Sequence, residues 1–489
     1  YSTAHLLRQQ GDSMAKTGVH EQWSSRLAFI FAATGSAVGL GNIWRFPYLA
    51  GENGGGAFVI VYILCVILIG IPVLMAELAI GRRGAMSPTQ TLVKVAAESG
   101  AAPHWKWIGT IASFFGSLML LSYYSVIAGW VLAYIIKAGS GMFADFWAGL
   151  GPVASVSPEL AVAAVREQSH AVRDAMFADA PMMSFWHFVF IGFTVYIVGK
   201  GINAGLERAV TFMMPVLFLL LLVLVGYAMA TGEFAHAVSY LFAPDFSKVT
   251  GETVLAAVGQ AFFSLSLGLG TMLAYGAYMQ KSINLTQSAF IIGASDTAVS
   301  LMAGLAIFPL VFAYGLAPDS GPSLIFETLP IAFGNMPGGA LFGTLFFILL
   351  TIAAITSSIS MLEPAVSYLE EKQGFNRWKA AILAGGGTFV IGLTSVFSYN
   401  EWQTFYPLAV LGFEGNTMTF FDIADAIVSK FVMPITSVAL AVFAGWVVKR
   451  ALLRQEMALP EGGVFEIWHV LIKYFCPIAL IVILISGLT

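Results

Sequence analysis

The sequence predicts an all-α polytopic membrane protein, with eleven transmembrane helices in a five-plus-five inverted repeat and breaks in helices 1 and 6. Three observations carry this. The 489-residue chain is 58% hydrophobic and only 10% charged. Many of its apolar runs reach the roughly 20 residues that a helix needs to cross a bilayer. Two of those runs, five apart, are interrupted at their centres by glycines, at Gly35, Gly39 and Gly41 and again at Gly268 and Gly270. Glycine in a helix interior costs about 1 kcal/mol relative to alanine, so each cluster predicts an unwound turn. Unwound backbone at membrane depth persists only where it lines a cavity or is buried in protein. Either cluster alone could be a small-residue packing face; a matched pair points to a binding site at the midplane between two repeats.

Taken in order, residues 1–22 read as a cytoplasmic tail opening on the polar YSTAHLLRQQGDS. Residues 1–13 of it are either native or extra sequence ahead of a start at Met14. No cleavable signal peptide is expected before the first span. Spans follow near 24–50, 56–82, 107–137, 185–200, 206–230, 252–279, 287–315, 339–370, 378–398, 422–448 and 468–488. Residues 23–450 form the core, with inverted repeats at about 24–230 and 252–448; residues 451–489 are the final loop and eleventh helix. Basic residues set the orientation. Arg82, Arg83, Lys94, Lys106, Lys200, Arg208, Lys281, Lys372, Arg377, Lys379, Lys449, Arg450 and Arg454 fall in the even-to-odd connections, against Arg166, Arg173 and Lys248 on the other side. The N-terminus is therefore expected in the cytoplasm and the C-terminus outside. Within the long outer loop, about 139–184, SPELAVAAVREQSHAVRDAM has helical spacing and reads as a surface helix. Residues 316–338 carry too many Pro and Gly to span, and suit a re-entrant hairpin.

A net charge of −4 gives no reason to expect a nucleic-acid partner. Cys65 and Cys476 lie far apart in apolar segments, which argues for neither a disulfide nor a metal site. No nucleophile–base pair or metal-ligand spacing emerges, so an enzyme is not expected. The informative residues are polar ones at membrane depth: Asn42, Arg45, Glu77, Asp296, Thr356, Ser357, Ser358, Glu363, Asp422, Asp425 and Lys430. Such groups cost a few kcal/mol or more and usually face a partner or an aqueous path. Asp296, in IIGASDTAVSLMAGL, suits a cation, or else is a protonated helix-packing acid. The hydroxyls of ITSSIS, 355–360, either bond back to their own helix or join unwound carbonyls in an all-oxygen shell for a small hard cation.

WSSRLAFIFAATGSAVGLGNIWRFPYLAGENGGGAF resembles the first-span signature of the neurotransmitter:sodium symporters. VGQAFFSLSLGLG, DTAVSLMAG and ITSSISMLEP resemble that family's sixth, seventh and eighth spans, and the likeness runs over about residues 20–450. It implies a multi-pass plasma-membrane symporter, in a bacterium the inner membrane, coupled to two Na⁺ ions. One ion would take the Ala37 carbonyl, Asn42, Ser264, Asp296 and the substrate carboxylate. The other would take the carbonyls of Gly35, Val38 and Ala353 with the hydroxyls of Thr356 and Ser357. The substrate carboxylate would meet the amides of Leu40 and Gly41 and the Tyr124 hydroxyl, and its ammonium the carbonyls of Ala37 and Phe263 with Ser266. Leu120, Phe263, Leu269, Ser360 and Met361 would line the side-chain pocket.

Departures from the family pattern refine this. Gly39 stands where monoamine carriers have Asp, which leaves room for an α-carboxylate and implies an amino acid. The apolar pocket implies a neutral hydrophobic one, and Leu269, where a leucine-transporting relative has Phe, leaves room for an aromatic. Asp296 replaces the Asn of chloride-dependent members, while Tyr62, Gln260, Ser264 and Ser300 keep their chloride-site positions, so no chloride requirement is expected. Arg45 and Asp425 match the outer gate over a lid of Tyr124 and Phe263; Trp23, Tyr278 and Glu371 match the inner one. His20 replaces an Arg there, and reads either as a pH-sensitive latch or as an ordinary tail residue. Eleven spans, where many relatives have twelve, match a bacterial subgroup. The sequon Asn284-Leu285-Thr286 would face the cytoplasm and carry no glycan. The alternatives are a sodium symporter for a β- or γ-amino acid or betaine, and a non-transporting sensor or channel on the same scaffold.

Overall fold

The computed structural model describes residues 21–150, 158–316, 324–413, 415–460 and 462–486. Among the described residues, nine uninterrupted helices are long and apolar enough to cross a membrane: Gly56–Gly84, Pro103–Gly139, Ala180–Gly199, Ile202–Thr231, Leu285–Ala313, Gly339–Gln373, Arg377–Phe397, Phe420–Val447 and Val464–Ser486. A further crossing is the pair Arg26–Ala37 and Gly41–Glu52, bent by 52°. The remaining one is Gly251–Ser264 with Thr271–Ala277, interrupted over residues 265–270. Together these are the eleven expected spans, counted first to eleventh in chain order, with the first and sixth broken.

Both breaks follow from local chemistry. Val38 turns to an extended conformation while its amide still closes the preceding helix on the Thr34 carbonyl. In the sixth span, Ser266, Gly268 and Gly270 all have positive φ, at 53°, 76° and 77°. Glycine adopts this region freely; for Ser266 it is strained, and the serine hydroxyl is held on the Ser36 carbonyl at 2.9 Å. Arg26–Ala37 packs on Thr271–Ala277, and Gly41–Arg45 on Gly251–Ser264. The leading half of one broken span thus lies against the trailing half of the other, as an inverted repeat requires.

The fourth span starts earlier than expected. Asp179 looks like a loop residue, but its side chain caps the helix by accepting from the Met182 amide at 2.9 Å, and Pro181 suits the first turn. The surface helix is present as Pro158–Ala178. The segment expected to be a re-entrant hairpin is helical over 324–335, and its residues 317–323 lie outside the described residues. It is tied to Met142–Gly149 by the Trp147 indole donating to the Ile331 carbonyl at 3.0 Å. His20 and residues 1–19 also lie outside the described residues.

Candidate functional site

The two breaks face each other, and Asp296 of the seventh span stands beside them with its side chain fully buried. Asn42 Nδ2 donates to Asp296 Oδ1 at 2.6 Å, and to Ser300 Oγ at 2.9 Å. Ser264 and Tyr62 donate to Oδ2 at 2.8 and 3.0 Å. Asn42 Oδ1 in turn accepts the Gly39 amide at 3.0 Å, so one side chain fastens the first break to the carboxylate. Gln260 donates to the Gly41 carbonyl at 2.8 Å, and its own Oε1 is buried without a partner among the described residues. Among the described residues Asp296 makes no ion pair with Lys, Arg or His. A buried carboxylate with hydrogen bonds but no counter-charge is a ready place for a cation.

A second oxygen cluster lies where the first span meets the eighth. Ser357 Oγ sits 3.4 Å from the Gly35 carbonyl oxygen and 3.3 Å from those of Ser36 and Val38. Thr356 Oγ1 is 3.0 Å from the Ala353 carbonyl oxygen. The five residues expected to hold one ion, Gly35, Val38, Ala353, Thr356 and Ser357, are therefore brought together without any formal charge. Close approach makes this possible at Gly39, where a Cβ would fall 2.5 Å from Ser357 Oγ and 3.3 Å from the Tyr124 hydroxyl.

Between the two clusters is a small cavity lined by Ala37, Gly39, Leu40, Gly41, Leu120, Tyr124, Phe263, Ser264, Ser266, Ser357 and Met361, all named from sequence, and by Ser36, which was not. Two expected residues do not line it. Leu269 turns toward Gly116 of the third span, and Ser360 is used by Ser36 Oγ at 2.8 Å and by the Ser357 carbonyl at 2.7 Å. The Leu40 amide donates to the Tyr124 hydroxyl at 3.4 Å. Above the cavity opens a vestibule of about 180 Å³. Leu40, Gly41, Tyr124 and Phe263 border both spaces, so Phe263 and Tyr124 form the partition between them.

Arg45 and Asp425 both line the vestibule but do not pair. The Arg45 guanidinium lies 4.7 Å from the Phe263 ring centroid, and Asp425 accepts from the Tyr123 hydroxyl at 3.0 Å. The opposite end is sealed. Trp23 donates from its indole to the Tyr275 carbonyl and from its amide to the Tyr278 carbonyl, both at 3.1 Å. The Tyr278 hydroxyl donates to Glu363 at 2.6 Å, and Arg377 spans Glu363 and Glu370. Glu371 is held by the Ser87 amide at 2.7 Å and by its hydroxyl. Arg377 and Tyr123 were missed as site residues. Arg377 counts only toward orientation in the sequence, although buried Glu363 calls for a cation nearby. Tyr123 is masked by its neighbour Tyr124.

Known proteins share this architecture. A family model for the sodium:neurotransmitter symporter family matches residues 20–148 and 154–489. YhdH of Bacillus subtilis (strain 168), described as an uncharacterized sodium-dependent transporter, is 35% identical over 95% of this chain and 97% of its own length. A sodium-dependent transporter of Haemophilus influenzae is 32% identical over 96% and 98%. The crystal structure of MhsT in complex with L-phenylalanine superposes with a TM-score of 0.82 at 36% identity, covering 96% of this chain and all of that one.

Proposed function

This chain belongs to the sodium:neurotransmitter symporter family, and we propose that it imports a neutral, hydrophobic or aromatic α-amino acid by sodium-coupled alternating access, without chloride. The observation that carries this reading is Asp296, buried, without a counter-charge, and tied through Asn42 to the first break. One Na⁺ would bind there with the Ala37 carbonyl and Ser264. A second would bind among the carbonyls of Gly35, Val38 and Ala353 and the hydroxyls of Thr356 and Ser357. The α-amino-acid group would sit at the small cavity between them, with the Leu40 and Gly41 amides and the Tyr124 hydroxyl on the carboxylate side. Amides at a half-helix start favour an anion, and exposed carbonyls favour cations. Coupling follows if one substrate oxygen completes the first sodium shell, because neither partner then binds well alone.

A fixed carboxylate at Asp296 supplies the negative charge beside Na⁺ that a chloride ion would otherwise bring. The apolar walls Leu120, Phe263 and Met361 favour an uncharged side chain, and the bound phenylalanine of the structurally similar MhsT favours an aromatic one. With the N-terminus in the cytoplasm, the Arg45 vestibule faces outward and the sealed Trp23 end faces inward. In that orientation the chain stands ready to receive substrate from outside. The test is uptake of each of the twenty amino acids into proteoliposomes, with Na⁺ or K⁺ outside and with chloride present or replaced. Concentrative, sodium-dependent, chloride-indifferent uptake of a few neutral amino acids is expected. Uptake only of β-amino acids or betaines would overturn the substrate reading, and uptake independent of sodium would overturn the coupling.

A further inference from the structure

Besides Asp296 and the arginine-paired Glu363, one more acid is fully buried among the described residues. Glu77 lies on the second span, and its Oε1 accepts the Gly268 amide at 2.8 Å, inside the break of the sixth. Its Oε2 is buried and has no hydrogen-bond partner among the described residues. The tenth span presses on the same turn: a Cβ on Gly268 would fall 2.7 Å from the Met433 carbonyl oxygen and 2.9 Å from Thr436 Oγ1. The Thr436 hydroxyl lies 2.6 Å from the Gly268 carbonyl oxygen and 2.6 Å from that of Val432, and shares its one proton between them. Gly268 is thus gripped at its amide by Glu77 and at its carbonyl by Thr436. Beside it, the Ser437 hydroxyl is buried without a partner, and so is that of Ser113 near Gly270.

Among the described residues, no cation pairs with Glu77. The stretch Ile71–Gly84 packs against Pro88–Glu98, Thr271–Ala277, Leu285–Ala313, Met433–Val442, Arg450–Met457 and Leu471–Phe475. The ionisable groups of these elements are engaged elsewhere. Lys94 donates to the Gly84 carbonyl, and Glu98 pairs with Arg83. Glu456 is taken by Arg82 and Lys281, and Arg454, on the same short helix, is partly exposed. Arg450 pairs with Glu466, and Lys473 lies over the Trp446 ring, which Tyr474 also contacts. Asp296 is held by Asn42, Ser264 and Tyr62, and Tyr275 is a neutral phenol against Trp23. Arg82 itself lies five residues from Glu77, about 7.5 Å along the helix. An ionised carboxylate left with one amide and no counter-charge in a dry interior is costly enough that such groups take up a proton instead.

We propose that Glu77 is a proton-binding site on which the sixth-span break rests. In the conformation described it is the neutral acid, with Oε1 accepting from Gly268 and the proton on Oε2. Ser437, flanking Gly268 and likewise without a hydrogen-bond partner among the described residues, is a neighbouring polar group that a bridging water would join to that proton. Loss of the proton places an uncompensated charge against the turn, draws water in and loosens the grip on Gly268, so proton release acts on the hinge and not on the ions or substrate.

Two measurements test this. Infrared spectra of the purified protein carrying ¹³C-carboxyl glutamate should show, at neutral pH, a protonated-acid carbonyl band that shifts with the label and vanishes in Glu77→Gln. The label separates Glu77 from Asp296, and the other buried glutamates among the described residues, Glu327, Glu363 and Glu456, are each paired with an arginine. Absence of such a band overturns the proposal, whatever the protein transports. In proteoliposomes, Glu77→Gln should retain uptake within about threefold, because its amide oxygen still accepts from Gly268. It should also lose the alkaline decline expected of the unaltered protein. Glu77→Ala, which strands the Gly268 amide, should lose most uptake. Equal impairment of the Gln and Ala variants, or identical pH profiles for Glu77→Gln and the unaltered protein, would overturn it. If no substrate were taken up at all, the proposed function would fail while the infrared result still decided this one.

Discussion

Asn42 and Asp296, 254 residues apart in the chain, meet at 2.6 Å between Nδ2 and Oδ1. The same Asn42 side chain accepts the Gly39 amide through its Oδ1. A charge arriving at Asp296 is therefore transmitted to the backbone of the first break in two hydrogen bonds. Under the proposed function this is the path by which ion binding would reshape the substrate cavity, and the predictions below follow from it and from its neighbours.

Asp296→Asn removes the fixed charge but keeps the shape. Hydrogen bonds to a charged group contribute about 1.5–3 kcal/mol, so apparent sodium affinity in uptake should drop roughly tenfold or more. Chloride should restore part of the rate, with Tyr62, Gln260, Ser264 and Ser300 at hand to hold it. Uptake by this variant that ignores chloride would contradict the assignment of Asp296.

Ser357→Ala takes away the oxygen placed among three carbonyls of the first break. The loss of one such partner is expected to cost about 1–3 kcal/mol. Sodium titrations of substrate binding should show a correspondingly higher half-saturation, with fold and expression intact. An unchanged sodium dependence would remove Ser357 from the ion site.

Gly39→Ala adds a single methyl where only 2.5 Å separates the ideal Cβ from Ser357 Oγ. Either Ser357 turns away from the carbonyls or the break shifts, and both damage the second oxygen cluster. Uptake should fall at least about tenfold through sodium affinity, and Gly39→Asp, which demands more space, should do worse. Scintillation-proximity binding at graded sodium separates this from a simple loss of substrate contact.

Arg377→Met leaves the fully buried Glu363 without its cation. Breaking a buried pair from one side costs about 3–5 kcal/mol, whereas replacing both partners by apolar groups is often neutral. The single variant should lower the thermal midpoint in detergent markedly and open the Trp23 end. The double variant with Glu363→Leu should recover most of the midpoint. Equal stability of single variant and parent would show that Glu363 does not depend on Arg377.

Particular residues show where sequence reasoning reached and where it stopped. Asp296 was legible because a charge in IIGASDTAVSLMAGL has nowhere to hide in a membrane helix. The breaks were legible because glycines at Gly35, Gly39, Gly41, Gly268 and Gly270 contradict their apolar surroundings. Ser36 was not, because a serine between Gly35 and Ala37 has the same meaning to propensity whether it faces lipid, helix or cavity. Leu269 and Ser360 were placed in the cavity by likeness, but the turn at Gly268 and Gly270 rotates Leu269 toward Gly116, and Ser36 claims Ser360. The distance between Arg45 and Asp425 was likewise invisible. It depends on how far the vestibule is open, and two conformations of one sequence share the same residues.

The sequence by itself determined the membrane class, the eleven crossings, the two broken helices and the residue types able to hold a cation. These follow from short-range physics: the length of apolar runs, the conformational cost of glycine and the price of charge in hydrocarbon. Only the tertiary structure decided which oxygens converge. Ser357 with Gly35 and Val38, Asn42 with Asp296, Glu77 with Gly268 and Arg377 with Glu363 are pairings between segments 14 to 322 residues apart. Helix crossing and rotation set those distances, and both are settled by side-chain packing summed over the whole bundle rather than by any local pattern.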